Sequence, residues 1–308
     1  MAGLSLKRAG VAAGRRSLGD REGLLAPLFL LPAVIYIFAL VAVPFVLAIG
    51  ISFSDVTAGD PSFDWVGLDN YRAIFDDPVF WRSLRNTFVL TGVSMVLVVV
   101  LAKALAMILV ADFRGKWLVR LLVLLPWTTP ISLAAVAWLW MLDSIFSPID
   151  WLLRSLGLIE SNMFWLGKPD LAMASVIAVQ TWRIVPLAAV IILAGLISLP
   201  KEVDDAARVD GAGFWRKLFE ITIPLMLPVI AVAALFGAIL TFTDMTVVYV
   251  LTRGGPNNAT QVLSSWAYFK GIEGGSLAQG AAVALFLFPL LLAAAIAILR
   301  LVRRMRVS

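Results

Sequence analysis

Leu199-Pro200-Lys201-Glu202-Val203-Asp204-Asp205-Ala206-Ala207-Arg208-Val209-Asp210-Gly211-Ala212-Gly213-Phe214-Trp215-Arg216-Lys217-Leu218-Phe219-Glu220-Ile221-Thr222-Ile223-Pro224 is a polar stretch set between two long apolar ones. Pro200 stands where a helix would start, and the acids Glu202, Asp204 and Asp205 follow in its first turn, where the helix dipole favours negative charge. Asp205, Ala206, Ala207 and Val209 are expected on that short helix, and Gly211 permits a sharp turn after it. Phe214, Trp215, Leu218 and Phe219 make an apolar stripe, predicted on a second short helix that Pro224 leads into the next apolar run. A short helix of small residues held between two spans is shaped to lie in a groove on another protein.

The apolar runs on either side are two of six. They run roughly over 24–52, 87–110, 121–142, 171–199, 223–252 and 277–302, and each meets the ~20 apolar residues that a membrane-crossing helix needs. Of the 308 residues, 61% are apolar and 15% charged, against about 45–50% and about 25% in a soluble domain. The expectation is an all-α integral membrane protein of six transmembrane helices. The first run is too long for a cleaved leader and is read as a retained span. Pro44, Pro126, Pro130, Pro186, Pro228 and Pro289 are all placed inside spans, where neighbouring helices or water satisfy the freed carbonyls.

Basic residues set the expected orientation. The tail over 1–23 holds Lys7, Arg8, Arg15, Arg16 and Arg21, and the stretch after the second run holds Arg114, Lys116 and Arg120. The 200–222 loop adds Lys201, Arg208, Arg216 and Lys217, and the C-terminal tail adds Arg300, Arg303, Arg304 and Arg306. These sixteen face seven in the alternating loops, so both termini and the 200–222 loop are expected in the cytoplasm. The net charge of +5 is therefore read as membrane orientation rather than affinity for nucleic acid.

Several chemistries are excluded. The chain has no cysteine and no histidine, so disulfides, thiolate metal sites, cysteine nucleophiles and imidazole bases are ruled out. None of its lysines is followed by Ser or Thr, so it has no ATP-cradling phosphate loop. No covalent catalysis and no bound metal or cofactor are expected.

The polar loop resembles a known one. Asp205-Ala206-Ala207, three residues, Gly211, nine residues and then Ile221-Thr222-Ile223-Pro224 match the EAA loop of ABC-importer permeases. That loop reads Glu-Ala-Ala, three residues, Gly, nine residues, Ile-x-Leu-Pro. Asp205 for Glu and Ile223 for Leu are the departures. Two more segments narrow the likeness to sugar-importer permeases of the maltose type. Val66-Gly67-Leu68-Asp69-Asn70-Tyr71, with Asp77-Pro78-Val79-Phe80-Trp81 and Asn86-Thr87, is similar to their first outside loop. Leu251-Thr252-Arg253-Gly254-Gly255-Pro256, with Thr260, resembles the element after the fifth core span of the MalF-like partner. Within that group the overall likeness is to permeases of trehalose importers.

The resemblance implies a type I importer permease fold in a single domain over 1–308, sited in the bacterial inner membrane. It implies a second permease subunit, two ATP-binding subunits that hold ATP and Mg, an extracytoplasmic binding protein and a sugar cargo. It places Asp205, Ala206, Ala207, Asp210, Gly211, Ile221 and Pro224 at the ATPase. By distance from the loop it places Gln180, Arg183, Gly237, Leu240, Thr241 and Asp244 near the sugar path. Gly254, Gly255 and Pro256 are expected to meet the binding protein, the glycines offering backbone free of side chains. A self-sufficient secondary transporter is the alternative class. It would need intramembrane acids or histidines, and only Asp244 lies within a span.

Further expectations rest on the residues alone. Arg183 and Asp244 cost too much on a lipid face, so they should face the bundle interior and pair across the cavity. Lys103 should snorkel to the headgroups. Trp182 reads as packing rather than a stacking platform. The acidic, aromatic loop over 53–86 either anchors at the interface or forms an ordered cap.

Overall fold

The computed structural model describes residues Glu22–Val307. The basic tail residues Lys7, Arg8, Arg15, Arg16 and Arg21, and the side chains of Arg303, Arg304 and Arg306, lie outside the described part. The described residues are helical apart from turns, loops and one isolated β-bridge, Ser54 to Trp65.

Helix α1, Glu22–Ser52, carries Pro27, Pro32 and Pro44. Its part up to Ala48 forms a compact unit by itself, and the chain from Ile49 onward forms another. Along 29–47 the first unit exposes large apolar side chains, Phe29, Tyr36 and Phe38 among them, as a span meant for lipid or a partner would.

The second unit is built on α3, Pro78–Val110, α7, Pro169–Ile197, and α10, Ile223–Thr243, which pack on one another. The seam is made of small and medium side chains: Ala102 and Ala106 from α3, Ala188, Ala189 and Ile192 from α7, and Met226 and Ala233 from α10. Lipid is as apolar as leucine, so helices in a bilayer gain by close van der Waals packing, which small residues allow. Between these lie α2, Asp69–Asp76, α4, Lys116–Thr128, α5, Ile131–Met141, α6, Pro148–Ser155, and α8, Lys201–Val209. α9, Phe214–Arg216, leads toward α10, and α11, Thr246–Leu251, α12, Leu263–Tyr268, and α13, Leu277–Val307, complete the chain.

Five described helices are long and apolar enough to cross a membrane, or six if a bent pair counts as one span. That bent pair corrects the third expected run. It is not one helix but α4 and α5, meeting at 99°. Thr129 between them is extended, ψ 133, the conformation favoured before a proline, so Pro130 marks a break in this run and not a kink within one helix. The fifth run is also broken, since α10 ends at Thr243 and α11 begins at Thr246.

At the end of the unit away from α8, the segment over 53–86 is an ordered cap. Asp77 caps α3, accepting a hydrogen bond from the Val79 N–H at 2.9 Å, so this helix begins at Pro78, well before the expected 87. Asn70 Nδ2 donates to the Ser52 and Ser54 carbonyls at 3.0 and 2.7 Å. Phe80 is fully buried against Phe75, Trp266 and Phe286 in tilted and edge-on contacts. Trp65 and Trp81 remain exposed.

Candidate coupling loop and polar core site

α8 ends in a Schellman cap. The Gly211 N–H donates to the Arg208 carbonyl at 3.1 Å, and the Ala212 N–H to the Ala207 carbonyl at 2.9 Å. Gly211 has φ +65, and a Cβ there would meet nothing within 4 Å. The glycine is therefore required by the left-handed turn and not by crowding within this chain. Ala207 is buried, while Asp205, Ala206, Arg208, Val209 and Asp210 are exposed. Asp204 pairs with Arg208 at 2.9 Å and with Lys217, tying α8 to the segment that follows.

That segment is not a second, separate helix. α9 passes through a π-helical stretch, Lys217–Thr222, straight into α10. The wider turn lies just before Pro224, whose ring lacks the N–H that the Glu220 carbonyl would otherwise receive. Phe214, Trp215 and Phe219 stay exposed as an aromatic ridge, with Trp215 and Phe219 stacked at 6.0 Å. Ile221 is half-buried and Pro224 exposed.

The polar core lies where α7 faces the end of α10. Gln180 Nε2 donates to Thr241 Oγ1 at 3.2 Å, and both residues are buried. One turn of α7 further along, Arg183 forms an ion pair with Asp244. Asp244 sits at the break after α10 with an extended backbone, ψ 131. Its Oδ1 also accepts from the Thr246 N–H at 2.8 Å, so it caps α11. Its carbonyl accepts from Ser264 Oγ at 2.9 Å. One carboxylate thus neutralises the arginine and satisfies an orphan donor of a broken helix. Ser264 and the break itself carry no pattern in sequence, since no Gly or Pro marks the 244–245 junction.

The buried Gln180 Oε1 and Thr181 Oγ1 have no hydrogen-bond partner among the described residues. Leu240 is half-buried. A Cβ on Gly237 would approach Met95 Sδ at 2.8 Å and Ile184 Cγ2 at 3.1 Å, so Gly237 serves the helix seam. Trp182 packs edge-on against Trp138 at 5.5 Å.

The turn after α11 is held from within. Thr252 Oγ1 and Thr260 Oγ1 share a 2.6 Å hydrogen bond, and Thr260 Oγ1 also reaches the Gly255 carbonyl at 2.8 Å. Asn86 Nδ2 donates to the Ala259 and Gln261 carbonyls, each at 2.9 Å, and Arg82 to the Asn257 carbonyl at 2.6 Å. Gly254, at φ +84, is buried against Gln261. Its backbone is therefore not the bare outward surface expected of it. The outward positions are Arg253, Asn257 and Asn258. Gly254→Val should lower the melting temperature of the purified chain, through collision with Gln261 and through left-handed strain. Gly254→Ala paired with Gln261→Ala should restore part of the loss. Equal melting temperatures for wild type and Gly254→Val would refute this account of the turn.

Lys103 also departs from expectation. It does not snorkel, being only 8% exposed, and its Nζ has no hydrogen-bond partner among the described residues. It lines a cavity of about 490 Å³ between the ends of α3 and α7, α8 and the start of the 214–225 helix.

With this geometry in place, comparison with known proteins gives the family. Residues 99–307 match the profile of the binding-protein-dependent transport system inner membrane component. This chain belongs to that family. The permease is also 33% identical to the sulfoquinovosyl glycerol transport system permease protein SmoG of Agrobacterium fabrum, over 93% of this chain and 92% of that protein. It is 31% identical to the trehalose/maltose transport system permease protein MalF of Thermococcus litoralis, over 92% and 95%. Among solved structures, a bacterial ABC transporter that imports the polysaccharide alginate has a chain with the same fold. The TM-score is 0.78 at 22% identity, over 91% of this chain and 95% of that one. The protein is thus a multi-pass inner-membrane permease subunit of a binding-protein-dependent ABC importer, and is not itself catalytic.

Proposed function

We propose that this permease forms one half of the membrane path of a sugar importer and that its cargo is a disaccharide, trehalose first among those to test. The observation that carries this is likeness over nine-tenths of the chain to permeases named for glycoside cargo. A core of paired donors and acceptors suits a ligand made of hydroxyls. In this reading Gln180, Arg183, Thr241 and Asp244 face the sugar, with Leu240 and Gly237 shaping the wall.

The 200–222 loop lies in the cytoplasm with both termini, and Asp205 through Gly211 dock in the cleft of an ATP-binding subunit. Ile221 and Pro224 carry the motion into α10. Two ATP-binding subunits hold ATP and Mg, and a second permease completes the path. An extracytoplasmic binding protein docks at the distal cap and the Gly254-Gly255-Pro256 turn. The exposed α8 surface and aromatic ridge are the kind of face that a partner covers.

The test is uptake of labelled sugar by vesicles that hold the complete importer with its binding protein. ATP-dependent trehalose uptake, displaced by excess unlabelled trehalose and not by an amino acid, is the expected result. Uptake of another glycoside but not trehalose would overturn the choice of cargo, and uptake of no glycoside would overturn the sugar reading.

A further inference from the structure

At the end away from α8, the starts of α3 and α7 and the turn after α11 enclose an open notch of about 410 Å³. Arg82 and Arg85 stand on its α3 wall, Pro169 and Asp170 on its α7 wall, and Pro256 and Asn257 on the turn. Three other cations at this end already have an acid. Arg72 pairs with Asp69 at 3.0 Å, Lys270 with Asp77 at 3.1 Å and Arg253 with Glu273 at 2.7 Å. Exposed Arg85 has no ion pair or hydrogen bond among the described residues. Arg82 gives an N–H to the Asn257 carbonyl, which leaves most of its five donors free.

The one acid on the wall, Asp170, sits in the first turn of α7, where the positive end of the helix already answers it. The notch is therefore net positive, and exposed Lys168 stands next to Pro169 in the chain. The cap at the same end is opposite in sign, since Asp55, Asp60, Asp64 and Asp76 make no ion pair among the described residues. A face that carries both signs orients a partner of complementary charge. Arg85 lies about 37 Å along α3 from its last residue, Val110, at 1.5 Å per residue. That exceeds the ~30 Å of hydrocarbon that a span crosses, so whatever enters the notch comes from the aqueous side.

We propose that the notch receives a carboxylate side chain of the extracytoplasmic binding protein, held by Arg85 and by the free donors of Arg82. A neutral disaccharide offers no charge to two arginines. The volume falls within the ~300–1,000 Å³ of sites that enclose a whole ligand, more than one small ion fills. The inference rests on the importer reading above and adds to it the chemistry of the docked partner, an acidic side chain entering beside Pro256.

The test measures docking of the cargo-loaded binding protein to the complete importer in nanodiscs, by biolayer interferometry at low and at high salt. Arg85→Gln should weaken docking about threefold at low salt, and Arg85→Glu about tenfold, because reversal adds repulsion to lost attraction. Both deficits should shrink at high salt. Arg85 has no polar partner within the chain to lose, so both variants should assemble. A carbodiimide joins an amine to a carboxylate, so Arg85→Lys should become linked through position 85 to an Asp or Glu of the docked binding protein. Wild-type docking in both Arg85→Gln and Arg85→Glu would overturn the proposal, as would a docked binding protein that forms no link at position 85. A wild-type importer that docks no binding protein would overturn the importer reading, and this inference with it.

Discussion

Gly211→Trp is expected to abolish cargo-stimulated ATP hydrolysis by the reconstituted importer while the chain still inserts in the membrane. The argument separates two effects of losing the glycine. At φ +65 any side chain strains the Schellman cap, by about 1–2 kcal/mol for most residues and less for asparagine. Bulk is a different matter, because nothing of this chain lies within 4 Å of a Cβ at this position. The added bulk is therefore expected to act chiefly against a docked partner. Gly211→Asn should therefore retain most stimulated turnover, and Gly211→Trp almost none. Equal losses in the two variants would assign the effect to the turn, and normal turnover in both would remove the loop from coupling.

The second large effect concerns Arg183 and Asp244. Removing one partner of a buried pair leaves an uncompensated charge, typically a loss of about 3–5 kcal/mol. The side chains are 19% and 11% exposed, so the low end applies, and a loss of about 3 kcal/mol is roughly 100-fold in an equilibrium. Asp244→Asn is the useful replacement because asparagine still caps α11, whereas leucine would remove the cap and the charge together. Arg183→Met and Asp244→Asn should each reduce membrane abundance sharply, and the double variant should recover much of it. Transport should stay low in the double variant if these groups also serve the sugar. Simple additivity of the two single losses in abundance would show that the pair does not stabilise the bundle.

These two predictions draw on features that differ in how plainly the sequence announces them. The α8 loop is legible because its determinants are local: a proline, acids in the first turn, small residues and one glycine at fixed spacing. The structure adds which side faces out, with Ala207 inward and Ala206 outward. The helix breaks are less legible. Pro130 lies in an apolar run that reads like any other span, and only packing decides that it ends one helix rather than kinks it. The break at Asp244 has no glycine or proline and is fixed by tertiary partners, Arg183 from α7 and Ser264 from beyond α11. Lys103 departs from its expected place for a related reason. Snorkelling is the rule for a lysine near a helix end, but here α7, α8 and the 214–225 helix close over it. Gly254 reads as open backbone in the sequence, and only the fold brings Gln261 against it.

The claim at the centre of the account is that α8 is the contact through which an ATP-binding subunit drives this permease. The chain has no cysteine, so a single introduced thiol reports one place. Ala206→Cys puts it on the exposed face of α8, and Trp81→Cys puts it on the cap at the other end of α3. A short thiol-reactive cross-linker applied to the assembled importer should join Ala206→Cys to an ATP-binding subunit, with a yield that changes when ATP is added. Trp81→Cys should give no such product. Cross-linking of Trp81→Cys to the ATP-binding subunit, or failure of Ala206→Cys to reach it in an importer that still hydrolyses ATP, would contradict the account.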